Sequence, residues 1–204
     1  MSETSQPAAK TSAFSMVELL TVMAVIGILS AILIPSTAAA RVSMRRAQTK
    51  VLFSQWTAAM ELFRQEYGFY PAIDRGTGKV DAAVFAGALT GRRLDGSAVV
   101  NADELAGNSR RIAFYAVGEN ELNAARTALI DAFGNSEIAV MIDTNGDGRL
   151  TEADGRIVGV SSTDGTVLTP SDADLDLSTG IRAAVIFYSA GNGKSASDLT
   201  FSWK

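Results

Sequence analysis

The sequence predicts an α+β protein in which one long N-terminal helix leads into a small domain of short helices and strands. Three observations predict it. A run from Leu19 to Ile34 is uncharged and almost wholly apolar. Apolar residues then recur at the i, i+3, i+4, i+7 spacing of one helical face as far as Tyr67. Beyond Gly68 the pattern breaks into short segments punctuated by Gly, Asn and Asp. A chain of 204 residues has room for one compact domain plus an appended element.

Composition narrows the chemistry. There is no His and no Cys, so the commonest general base, thiolate nucleophiles and the usual transition-metal ligands are missing together. The sequence therefore predicts no catalytic residue and no enzymatic activity. A net charge of −4 with no basic face argues against nucleic acid as a partner, because that binding needs clustered cations to displace counterions.

The first element is the apolar segment "FSMVELLTVMAVIGILSAILIP". No charged residue occurs from Leu19 to Ala40. As a helix rising 1.5 Å per residue, positions 14–40 would span roughly 40 Å, more than the ~30 Å of a hydrocarbon core. A membrane anchor and a removable secretory signal both account for it. The second has its own support, since "STAAAR" offers an A-x-A cleavage site ending at Ala40, with the helix breaker Pro35 upstream. It leaves Glu18 unexplained, because an acid at the bilayer centre costs about 2.5–3.5 kcal/mol and so needs a partner or a task.

The same helix continues as an amphipathic half, 41–68. Met44, Ala47, Val51, Leu52, Trp56, Ala59, Met60, Phe63 and Tyr67 form its apolar face, and Arg45, Arg46, Thr49, Lys50, Thr57, Glu61 and Arg64 the polar one. Gly68 and Pro71 end it. Arg41, Arg45, Arg46 and Lys50 follow the apolar run with no acid before Glu61, and a plain positive-inside count places the C-terminal body in the cytoplasm.

Within the body, 69–204, "DAAVFAGALTG" predicts a short helix with Asp81 as N-cap and Gly91 as terminator. "RRIAFYAV" predicts a strand and "NELNAARTALI" a turn or two of helix. The paired cations Arg92, Arg93, Arg110 and Arg111 read as solvated surface.

The strongest chemical motif is "DTNGDGRLTEAD". Asp143, Asn145 and Asp147, the backbone carbonyl of Arg149 and the carboxylate of Asp154 follow the spacing of a twelve-position calcium loop, with Gly148 at the sharp turn. Calcium takes six to eight oxygens, and alternating residues around a tight turn bring that many inward together. A bare hairpin turn is the competing reading, since "NGDG" is also a turn signal. The preceding "SEIAVMI" is strand-like, so helices do not flank the loop on both sides. Nearby "DADLD", with Asp172, Asp174 and Asp176, reads as an exposed acidic loop.

The segment "KTSAFSMVELLTVMAVIGILSAILIP" resembles the class III signal of type IV pilins and type II secretion pseudopilins. In that family a polar leader ends before a Phe, the fifth mature residue is Glu and the twenty-second is Pro, as Phe14, Glu18 and Pro35 are here. The resemblance implies that residues 1–13 are a leader, that prepilin peptidase cuts between Ala13 and Phe14 and methylates Phe14, and that Glu18 pairs with the α-amino group of a neighbouring subunit. Ala13 stands where the family usually has Gly.

"EYGFYP", "DAFGNSEIAVMIDTNGDGRL" and "AVIFYSAGNGKSASDLTFSW" extend the likeness to the family's Tyr-Pro turn, its antiparallel C-terminal sheet and its calcium-binding loop. Ala132 and Phe133 replace the usual Pro and Trp. The implied protein is a single-pass bacterial inner-membrane subunit, N-terminus in the cytoplasm. It assembles with copies of itself and other pilin-like subunits into a periplasmic or extracellular filament, through an inner-membrane platform and membrane lipid, with calcium as its cofactor. The alternatives are a secreted calcium-binding protein released by signal peptidase after Ala40 and a minor pilin acting as a tip adhesin.

Overall fold

A computed structural model describes residues 14–203, the side chains of 32–36 excepted. Two units make up the chain, Met1–Arg41 and Val42–Lys204, and helix α1 (Met16–Tyr67) contributes to both. The fold is α+β, with a small antiparallel sheet.

In the first unit α1 opens at Ser15. Its hydroxyl accepts from Val17 N at 3.3 Å while the Glu18 carboxylate accepts from Ser15 N at 3.0 Å. These two bonds make a close variant of the capping box, with the Ser15 hydroxyl on the second helical amide and the acid three residues on satisfying the Ser15 amide. The apolar residues that follow, from Met16 to Leu29, are exposed. Among the described residues no helix is long and apolar enough to cross a membrane. The unbroken described run of side chains stops at Ala31.

In the second unit the C-terminal part of α1 buries Phe53, Trp56, Ala59, Met60 and Phe63 in one cluster with Val140, Ile142, Val185 and Phe187 of the sheet. Trp56 sits 4.7 Å from Phe85 and 5.5 Å from Phe187, centroid to centroid. Such ring pairs add to area burial when offset or tilted. The buried seam is turned relative to the sequence reading: Phe53 and Thr49 are buried, whereas Met44 and Val51 are more than half exposed. The sheet covers the line 49-53-56-60-63, whose 3–4 residue steps stay on one face. Thr49 is tolerated there because its hydroxyl accepts from Ala132 N.

Helix α2 (Ala82–Thr90) starts as the sequence predicts. Asp81 accepts from Ala83 N and Val84 N, and Gly91 closes the helix at φ +69°. Five short strands follow: β1 (Ile138–Ile142), β2 (Val160–Ser161), β3 (Val167–Leu168), β4 (Val185–Ser189) and β5 (Thr200–Phe201). The main sheet has the order β1-β4-β5, all antiparallel, and β2-β3 is a separate hairpin.

Two expectations fail. "RRIAFYAV" forms no strand; Phe114 and Tyr115 instead bond back to the Leu89 carbonyl at the end of α2 and pack on the core. Of "NELNAARTALI" only Asn120 and Glu121 are helical, in the single three-ten turn Glu119–Glu121, and the rest is a loop pinned by the Leu122–Leu129 bridge. In both segments tertiary contacts override local propensity.

Candidate functional site

Two places carry the residues that the sequence singles out, one in each unit. In the first unit these are Phe14 and Glu18. Phe14 is 82% exposed and Met16 90%, so among the described residues the start of the apolar segment has no cover. Glu18 is exposed too, and one carboxylate oxygen, Oε2, is held by the Ser15 amide. The sequence reading missed this local partner, although S-x-x-E before an apolar run is its signature. Thr21 resolves its own polarity by donating to the Val17 and Glu18 carbonyls. Ala13 lies outside the described residues, and Pro35 lies within the helical run with its side chain outside them.

The second place is the loop after β1. Its base is fixed by Asp143 N donating to the Ala184 carbonyl and by the paired bonds between Leu150 and Ile181. Asp143 is buried at 3% exposure. Its two oxygens accept from Gly146 N at 2.6 Å and Gly148 N at 2.8 Å. Those glycines sit at φ +75° and +80°, a region that favours Gly. Asn145 and Asp147 meet side by side, Nδ2 to Oδ2 at 3.1 Å, and Asp147 Oδ1 accepts from Arg149 N. The Arg149 guanidinium ties the loop to the Thr179 and Gly180 carbonyls.

Asp154 closes the loop from the far side, with one oxygen on the Thr144 amide and hydroxyl and the other on those of Thr151. Partial burial pushes its pKa up, but the bonds from Thr151 and Thr144 outweigh that and hold it below the usual value.

The loop thus brings Asp143, Asn145 and Asp147 around one turn, while Asp154 is spent on the two threonines. Among the described residues no group of three or more acids is arranged to hold a metal ion. The donor set is hard oxygen throughout, which suits calcium, and an oxygen that accepts one hydrogen bond keeps a second lone pair. Asp174 and Asp176 turn onto Ser171, Ser178 and Thr179 of their own loop.

The sequence reading passed over two buried carboxylates. Glu121 accepts from Trp56 Nε1 at 3.3 Å, from Tyr115 OH at 2.8 Å and from Gly118 N at 3.1 Å. Asp131 accepts from Phe133 N, both nitrogens of Asn135 and the Ser189 hydroxyl. Both organise loops against α1 and the sheet, and only the "DAFGN" turn signalled either of them in advance. No family model, no curated protein and no solved structure matches this chain.

Proposed function

We propose that this chain is a pilin-like structural subunit of the bacterial inner membrane. After leader cleavage it assembles with itself and related subunits into a type II secretion pseudopilus or type IV pilus-like filament. One observation carries the reading. The apolar side chains from Phe14 to Leu29 are bare in the single chain, with one acid, Glu18, among them. A bare apolar helix is covered by lipid before assembly and by neighbouring helices after it, and Glu18 marks the register. The capping bond from the Ser15 amide is to Oε2, and Oε1 is the oxygen we propose pairs with a cation from a neighbour. Two charges that are each costly in lipid lower that cost as an ion pair, which favours docking in one register.

Glu18→Ala and Glu18→Gln test this together. Gln still completes the capping box, so it keeps the helix start and removes only the charge. Both variants are expected to insert in the membrane and to be lost from filaments, scored by fractionation and electron microscopy. Normal filaments from Glu18→Gln would remove the charge-pairing role.

We further propose that the loop binds calcium through Asp143, Asn145, Asp147, the Arg149 carbonyl and Asp154, the last by exchanging a threonine bond for the ion. Calcium there would cross-link the end of β1 to the 150–154 turn and stiffen the outer surface. EGTA is expected to lower the melting temperature of the protein, and an unchanged melt refutes a structural calcium.

A further inference from the structure

The outer edge of β1 is only half covered. Val80 N donates to the Ile138 carbonyl at 2.8 Å and Val140 N donates to the Gly78 carbonyl at 3.0 Å, so residues 78–80 act as a short extra strand. The chain then turns away through Gly76. Along an antiparallel strand the backbone groups of alternate residues face the same neighbour. Asp143 N faces β4, since it bonds the Ala184 carbonyl, while Val140 N faces outward. The Ile142 N–H and carbonyl therefore also face outward, past Gly78, which sits opposite Val140, and among the described residues neither has a backbone partner there.

They open into a cleft of about 400 Å³, bounded by Ala72, Asp74 and Gly76 on one side and Glu152, Asp154 and Arg156 on the other. A Cβ on Gly76 would meet nothing within 4 Å, so that wall is open beside the strand edge. Asp74 and Glu152 outnumber Arg156 even with Asp154 given to the loop, so the lining is net negative. Asp74 is engaged by Gly78 N and Asp154 by the two threonines, whereas Glu152 is exposed to the cleft mouth.

We infer that this cleft is a strand-addition site for an extended segment of a partner protein carrying a basic side chain. The segment would continue the line of residues 78–80 along β1, one of its residues exchanging both backbone bonds with Ile142, its carbonyl accepting from the Ile142 N–H and its N–H donating to the Ile142 carbonyl. Main-chain pairing supplies affinity in such sites and side-chain pockets supply selectivity. The acids favour Lys or Arg in the segment and disfavour Asp or Glu. This inference does not depend on filament assembly, because every residue of the site lies in the Val42–Lys204 unit.

The test pans a displayed library of random octapeptides against the full chain in detergent. Enriched peptides are expected to carry β-branched residues with at least one Lys or Arg, and to slow hydrogen exchange at Ile142 N–H. Ala72→Trp, an exposed position at the cleft mouth, is expected to abolish their binding without altering the melt. Glu152→Lys is expected to weaken binding about twofold to fivefold, the range for an exposed charge pair. The inference is overturned if no peptide is enriched. It is equally overturned if the enriched peptides leave Ile142 exchange unchanged or bind the Ala72→Trp chain as well as the parent.

Discussion

The two halves of α1 share one backbone conformation and differ in what surrounds them. From Met16 to Leu29 the apolar side chains are bare, whereas from Thr49 to Phe63 one face is sealed under the sheet and α2. Polar groups follow the same division. In the first half Glu18 and Thr21 satisfy themselves within the helix. In the second half the Trp56 indole reaches 65 residues along the chain to Glu121. The contrast separates two tasks that hydrophobic residues perform, holding one chain together and recruiting something outside it.

The sharpest way to break the comparison is to truncate one apolar residue in each half. Trp56→Ala is expected to cost about 3–5 kcal/mol in chemical denaturation, the transfer loss plus the cavity left among Phe53, Phe85 and Phe187. Val25→Ala is expected to leave the same denaturation curve within about 0.5 kcal/mol, since an exposed side chain away from special features contributes little to folding. Equal losses from the two substitutions would mean that the halves do not differ as the exposures imply.

A smaller effect tests how the second half is tied to its surroundings. Glu121→Ala leaves the Trp56 N–H, the Tyr115 hydroxyl and the Gly118 N–H without their shared acceptor. Stranded buried donors cost about 1–3 kcal/mol, read as a shift in denaturation midpoint. Burial and the bond to Glu121 both raise the Tyr115 pKa, so its hydroxyl stays protonated and donating across neutral pH. A midpoint unchanged by the substitution would show that water replaces the carboxylate.

The smallest effect concerns pH. The folded-state pKa of Asp154 lies below its unfolded value, so its contribution is complete above the ordinary carboxylate range and is lost as pH falls through the folded value. The parent should therefore lose melting temperature faster than Asp154→Asn between roughly pH 4 and pH 2. Identical acid slopes would mean that the Thr144 and Thr151 bonds add nothing to stability.

Much of this architecture is legible without coordinates, and for local reasons. The long helix, its end at Tyr67, the Asp81 and Gly91 caps of α2 and the strand in "SEIAVMI" each rest on spacing or on one residue's backbone preference. The readings that failed depended on distant partners. Strand-like "RRIAFYAV" is held as irregular chain by the end of α2, and Thr49, polar by type, is buried because the Ala132 amide meets it. The calcium-like spacing of 143–154 was plain, yet spacing says nothing of the threonines that take up the Asp154 oxygens.

What the sequence by itself determined is the placement of apolar and turn-forming residues, and hence where helix, caps and tight turns fall, because those obey interactions within a few residues. Only the tertiary structure decided which line of the amphipathic half is covered, where Glu121 and Asp131 find their donors, and that β1 keeps part of one edge open. Each of those depends on segments far apart in the chain meeting in space, and a linear pattern carries no record of which segments meet.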